Sequence, residues 1–320
     1  MNQDHFSRCN RRQLCASGIS LVTASHLAGP AFSRGPADAA IVDTHLHCFA
    51  GGTDSRFPYH PHAPYRPEDA ATPQWLLKCM RRASVNGAVV VHPEPYQDDH
   101  RYLEYCLAQD RKRLRGTCLF FADRTGSVEK MAGLVDRTRG QLIATRLHAY
   151  APDRLPPFGS PELANYWKTA TDLGLAMQLH FEPRYAPGLE PYIKQFPQTT
   201  VIIDHLGRPM QGTREEHDVV VRWARFPNTV MKVSSLPSQD RYPHRPLQPV
   251  VKDLTSAFGA ERMIYGGGFN KDATGKSYQA YRQRVLELLS HLSSADQQKI
   301  LGRNAIQLYR LNDQKITTAN

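Results

Sequence analysis

The stretch Ile41-Val42-Asp43-Thr44-His45-Leu46-His47 is an apolar run that ends in two histidines two residues apart. Successive side chains of a strand point to opposite faces, so residues i and i+2 share one. Read as a strand, the run projects His45 and His47 side by side at its end, with Asp43 behind them. Two imidazoles on one face can grip a divalent metal or polarise a carbonyl or lactone oxygen. Two histidines hydrogen-bonded inside a core or loop have the same spacing, and for a lone His-x-His pair that is the commoner case. The rest of the chain decides between the two.

Outward from that stretch the chain alternates. Further apolar runs stand at 87–93, 116–121, 142–148, 175–180, 200–205, 229–234 and 262–266. Helical patterns fall at 68–85, 98–111, 127–139, 161–173, 187–196, 214–226, 247–258, 277–292 and 295–309. Near-continuous apolar runs are what parallel strands covered on both faces look like. Eight such βα units predict a (β/α)8 TIM barrel of the metal-dependent hydrolase type over residues 41–311. A doubly wound open sheet is the alternative, but no Gly-x-Gly-x-x-Gly follows the first run.

The chain has 320 residues, enough for one domain of this size, and a formal net charge of +10. The basic residues are scattered, and the densest run, Arg111-Lys112-Arg113-Leu114-Arg115, reads as a solvated surface after a helix. No basic stripe is interleaved with aromatics, so nucleic acid is not an expected partner; an anionic small molecule is. Cys9, Cys15, Cys48, Cys79, Cys106 and Cys118 form no Cys-x-x-Cys; the first two lie in the N-terminal leader, and the other four read as buried free thiols.

Residues 1–40 differ in composition from the rest. Asn10-Arg11-Arg12-Gln13-Leu14 resembles a twin-arginine export signal, and Ala37-Asp38-Ala39 offers a cleavage site. His26 interrupts the mildly apolar segment between them, and a disordered tail is the alternative. The expected location is periplasmic, or cytoplasmic if the leader does not function. No stretch approaches 18 apolar residues, so no membrane-spanning helix is expected in the mature chain; residues 312–320 read as a tail.

Polar residues collect at the ends of the predicted strands: His45 and His47, His92, Arg146 and His148, His180, then Asp204 and His205. In barrel enzymes that end carries the chemistry. Arg146 can bind a carboxylate or pair with a structural acid. Glu182 shares the face of His180 and reads as a base or an ion-pair partner. Asp204 should face away from His205.

Taken together, four motifs resemble the amidohydrolase-related (amidohydrolase 2) family. They are Asp43-Thr44-His45-Leu46-His47, Gln178-Leu179-His180, Asp204-His205-Leu206-Gly207-Arg208-Pro209 and Ile300-Leu301-Gly302-Arg303-Asn304-Ala305. Arg56-Phe57-Pro58-Tyr59 and the 204–209 run look most like its lactonase-like members. The resemblance implies a distorted (β/α)8 barrel that hydrolyses a lactone or a related C–O or C–N bond of a small, carboxylated substrate. His45, His47, His180, His205 and Glu182 would be catalytic, and Arg146, His148 and Arg208 would bind substrate. Some members hold one divalent, Zn2+-like ion through positions matching His45, His47 and His180; lactonase-like members are often metal-free. Gly266-Gly267-Gly268-Phe269-Asn270 departs from the family's Gly-Ser-Asp-Trp-Pro, with Gly268 where the general base belongs. Asp272 is a candidate replacement, and an aspartate restored at 268 is expected to raise lactone hydrolysis. The alternatives are a non-catalytic binding barrel and a decarboxylase on the same scaffold. A homo-oligomer stands open beside a monomer.

Overall fold

In the computed structural model of the chain, residues 40–150, 155–237 and 246–311 are described. The expected leader, except residue 40, and the tail at 312–320 lie outside them. Eight parallel strands pair in sequence order: β1 (Val42–Leu46), β2 (Gly87–Val91), β3 (Leu114–Leu119), β4 (Leu142–Ala149), β5 (Ala176–Phe181), β6 (Val201–Ile203), β7 (Thr229–Val233) and β8 (Met263–Tyr265). Between them run α1 (Pro73–Ala83), α2 (Arg101–Ala108), α3 (Ser127–Thr138), α4 (Pro161–Asp172), α5 (Ala186–Gln195), α6 (Arg214–Arg222) and α7 (Leu247–Phe258). After β8 come α8 (Gly275–Leu288), α9 (Ser294–Gln298), a π-helical turn (Lys299–Arg303) and α10 (Asn304–Leu308). The expected TIM barrel is the fold.

Capping chemistry sets where the helices begin. The Thr72 hydroxyl accepts the Trp75 N–H and Pro73 fills the first position, so α1 starts there rather than at 68. Ser160 and Pro161 do the same for α4. Thr213 and Glu216 form a capping box on α6.

Two apolar cores follow from the strand period. Val42, Val89, Val91, Ala144, Ala176, Ile202 and Ile264 pack inside the barrel, with Ala305, Tyr309 and Leu311 against them. The alternate residues, such as Leu46, Val90, Met177 and Ile203, pack outward with the helices. Cys48, Cys79, Cys106 and Cys118 are buried and free. Among the described residues no helix is long and apolar enough to cross a membrane.

β1 is not a regular strand. Asp43 pairs with Ala88, yet Leu46 pairs with Val90, so Thr44 and His45 together face the single residue Val89. This extra residue puts Asp43 and the histidines on opposite faces, which corrects the expectation that Asp43 stands behind the histidines. Asp43 instead joins the two ends of the sheet. Its Oδ1 accepts the N–H of His45 at 2.9 Å and of Gly267 at 2.6 Å, and its Oδ2 accepts the Tyr278 hydroxyl from α8. Burial pushes this carboxyl up to about 7, against those hydrogen bonds, which hold it down. The Thr44 hydroxyl donates to the Tyr265 carbonyl at 2.7 Å. Among the described residues no backbone ladder joins β8 to β1, and these side-chain bonds do that work. Gly266 permits the approach: a Cβ there would lie 2.7 Å from the His45 nitrogen.

A second close approach holds the base of the barrel. A Cβ on Gly302, in the π-helical turn, would stand 1.8 Å from the Ala40 carbonyl oxygen just before β1. Gly302→Ala should therefore cost about 3 kcal/mol of stability or more. Gly133, inside α3, would meet only the tip of the Arg137 side chain, at 3.3 Å. Gly133→Ala should add about 0.5–1 kcal/mol through helix propensity. Urea melts of both variants check the pair; equal effects would contradict the packing argument.

Candidate functional site

The bulged end of β1 delivers His45 and His47 to the C-terminal mouth of the barrel. On β4 and β5 the register pairs Arg146 with Gln178 and His148 with His180, so these four face inward as two rows. With Ile202 inward and Ile203 outward, the extended Asp204 faces the mouth by alternation, and alternation ends there. His205, Leu206, Gly207 and Arg208 all have positive φ, between 54° and 69°. That left-handed turn lets adjacent Asp204 and His205 both reach the mouth, contrary to the expectation that they diverge. β7 adds Lys232, with no exposed surface, and Ser234 follows.

Asp204 is the hub of the floor. Its Oδ2 accepts Arg146 Nη2 at 2.9 Å, Arg146 Nε at 3.0 Å and Gln178 Nε2 at 3.0 Å. Its Oδ1 lies 3.1 Å from Lys232 Nζ and 3.4 Å from His45 Nδ1. The Thr117 hydroxyl donates to Gln178 Oε1 at 3.2 Å, fixing that amide. Burial alone would raise the Asp204 carboxyl, but Lys232, His45 and Arg146 outweigh it and hold it well below the usual carboxylate range. One carboxylate thus faces two cations, and the floor carries excess positive charge.

The histidines above this floor are neutral. Burial lowers His47 to about 4 and His205 to about 3, with Arg146 adding to both shifts. It also lowers His45, His148 and His180. Hydrogen bonds set two tautomers. The Val91 carbonyl can only accept, so His47 Nδ1 donates to it at 2.8 Å and Nε2 keeps its lone pair. Arg146 Nη2 can only donate, so His205 Nε2 accepts it at 3.4 Å and Nδ1 donates to the Ser234 hydroxyl at 2.9 Å.

Above lies a cavity of about 510 Å³ lined by His45, His47, Arg146, His148, His180 and His205. Glu94, Tyr150, Phe49, Phe269 and Tyr281 also line it. The Tyr150 hydroxyl donates to Glu94 Oε2, and Glu94 Oε1 lies 3.8 Å from His148 Nδ1.

Six of the residues singled out from the sequence therefore meet around one hollow. Two do not line it. Glu182 follows the last residue of β5, where the chain turns into a 3-10 helix at Pro183–Tyr185, and it pairs with Arg184 instead. Arg208 stands 5.6 Å from the centre of the Tyr150 ring. Asp272 is exposed and pairs with Lys271 at the cavity's edge, without lining the cavity itself. Arg146 lines the hollow, yet its Nε and Nη2 serve Asp204, the structural partner left open by the sequence. His92 is buried and bonds the Gln97 carbonyl at 2.9 Å.

Lys232 and Glu94 were missed by sequence reasoning. A lone lysine in Thr229-Val230-Met231-Lys232-Val233 was the available signal, because a charge inside an apolar parallel strand needs a buried partner. Gly268 also differs from expectation. Its φ is +109°, and a Cβ would lie 2.7 Å from the Tyr278 ring, so the backbone is built for glycine and not for a substituted aspartate.

The expected metal donors His45, His47 and His180 do not gather as one set. Among the described residues, the one group of three donor atoms lying within 4.8 Å of one another is His45, Asp204 and His205. His47 Nδ1 is taken by a backbone carbonyl, and His180 packs against His148 and Tyr150. Two imidazoles and a carboxylate suit a divalent ion such as zinc. The surroundings do not, because Lys232 and Arg146 already hold Asp204.

A model of the amidohydrolase family (Amidohydro_2) matches residues 42–311. Over 266 residues the chain is 27% identical to an L-fucono-1,5-lactonase from Burkholderia ambifaria, covering 75% of this chain and 85% of that protein. A probable 2-pyrone-4,6-dicarboxylic acid hydrolase from Acinetobacter baumannii, solved with citric acid bound, gives a TM-score of 0.67 at 18% identity, over 84% of this chain and 99% of that one. An amidohydrolase from Burkholderia multivorans, solved with bound zinc, gives 0.66 at 17% identity, over 86% and 100%. At those identities the two structures speak for the barrel alone. Because the family match spans every strand of that barrel and the His-x-His pair at its mouth, the chain belongs to the amidohydrolase family.

Proposed function

We propose that this protein hydrolyses the lactone ring, or a related C–O bond, of a small carboxylated compound. The observation that carries the reading is a ring of neutral histidines above a floor with excess positive charge. A carboxylated substrate is drawn to such a floor. The lactonase among the relatives supports the bond type.

Arg146 turns two of its nitrogens to Asp204 and keeps Nη1 for the substrate, where a charge-assisted bond orients the ring. His47, its tautomer fixed by Val91, takes a proton on Nε2 from the attacking water. The hydroxyl oxygen adds to the lactone carbonyl carbon, and the negative charge that develops faces Arg146, with Lys232 buried beneath the cavity. The ring C–O bond then breaks, and the leaving oxygen takes up the proton, giving the hydroxy acid. Glu94, tied to Tyr150 and His148, is the second acid–base group of the cavity. No step passes through a metal ion, because the group that would hold one is already matched by protein cations. The protein is exported to the periplasm on the strength of Asn10-Arg11-Arg12-Gln13-Leu14.

On this reading the wild type should turn over a carboxylated lactone about 10–100-fold faster in kcat/KM than its methyl ester, the worth of one charge-assisted bond. His47→Gln should lower kcat by about 10²-fold or more with KM little changed. Steady-state kinetics across a lactone panel measure both. A folded protein that binds carboxylated lactones and opens none would favour the binding-barrel alternative. Gly268→Asp should lower the melting temperature and raise no lactonase rate, given the Tyr278 clash and the positive φ. For the leader, Arg11→Lys with Arg12→Lys should keep the protein in the cytoplasm of a bacterial host with a twin-arginine translocase. Fractionation that still finds it in the periplasm would refute that assignment.

A further inference from the structure

His45, Asp204 and His205 bring together two imidazoles and a carboxylate, with donor atoms within 4.8 Å of one another. Such a donor set suits a divalent ion. Here every member already faces a cationic donor supplied by the chain. Lys232 Nζ lies 3.1 Å from Asp204 Oδ1 and 3.4 Å from His45 Nδ1. Arg146 Nη2 lies 2.9 Å from Asp204 Oδ2 and 3.4 Å from His205 Nε2. The two side chains come from different strands, β7 and β4, and are 0% and 4% exposed. Neither can swing into solvent, so an arriving dication would meet two fixed like charges against its own ligands.

We infer that Lys232, assisted by Arg146, occupies the place of a divalent ion, and that the chain holds a latent zinc site closed by its own ammonium group. Lys232 is the gate of that site. Arg146 alone leaves Asp204 Oδ1 and His45 Nδ1 unmatched. Removing the lysine charge therefore exposes two adjacent donors, with His205 as the third. The inference concerns what the floor binds and does not depend on which bond the cavity cleaves.

The full chain is stripped with chelator, dialysed against zinc chloride and assayed for bound metal. Cobalt(II) absorption serves as a second reading of coordination. Wild type should retain less than about 0.1 zinc per chain at these donors, and Lys232→Met about one. Lys232→Met with His205→Ala should lose it again. Zinc should raise the melting temperature of Lys232→Met and leave that of wild type unchanged, since a ligand bound to the folded state alone stabilises it. Lys232→Gln serves as a second variant, and zinc supplied during refolding should restore either one if it fails to fold alone. Stoichiometric zinc in wild type that disappears with His205→Ala would overturn the inference. So would variants that bind no zinc when folded, or that stay unfolded with zinc present.

Discussion

The buried carboxylate of Asp204, shared between Arg146 and Lys232, is the interaction on which the mouth of this barrel depends. It ties β4, β6 and β7 together from the inside, and through His45 it reaches β1. A lone buried charge would be costly, and a simple ion pair would leave the floor neutral. Two cations share one carboxylate, Gln178 donates to its Oδ2 and is itself held by Thr117, and a surplus of positive charge is left. Burial keeps the histidines neutral above it, and Arg146 adds to the shift at His47 and His205. The polarity of the cavity thus belongs to the floor, and the imidazoles supply lone pairs and N–H groups above it.

Much of the fold was legible because parallel strands covered on both faces must be apolar runs, and the eight runs stand out. Boundaries were less legible where side chains behave in two ways at once. Arg115 reaches back to the Arg111 and Leu114 carbonyls, so the basic run 111–115 hides the first residues of β3. The helix expected from 68 begins at Pro73, since the cap at Thr72 overrides the apolar pattern upstream.

Within the site, histidines at strand ends could be read because position in the strand is enough to place them. Facing was readable only where alternation holds. The extra residue in β1 puts Asp43 and the histidines on opposite faces, and the left-handed turn after β6 brings His205 inward beside Asp204. Glu182 fails for the same reason, lying just past the end of β5. Lys232 escaped notice because its partner stands 28 residues earlier and only the closed sheet unites them.

The seam between first and last strands has a consequence of its own. Where other neighbours in the sheet are laced by main-chain bonds, this junction rests on Asp43, Thr44 and the bare Gly266, all within two residues of His45 in space or sequence. Damage to any of the three would displace the histidine pair at the mouth. Inactive variants at positions 43, 44 and 266 would thus mark a failure of joinery and not of chemistry, although an activity screen alone would score them as catalytic.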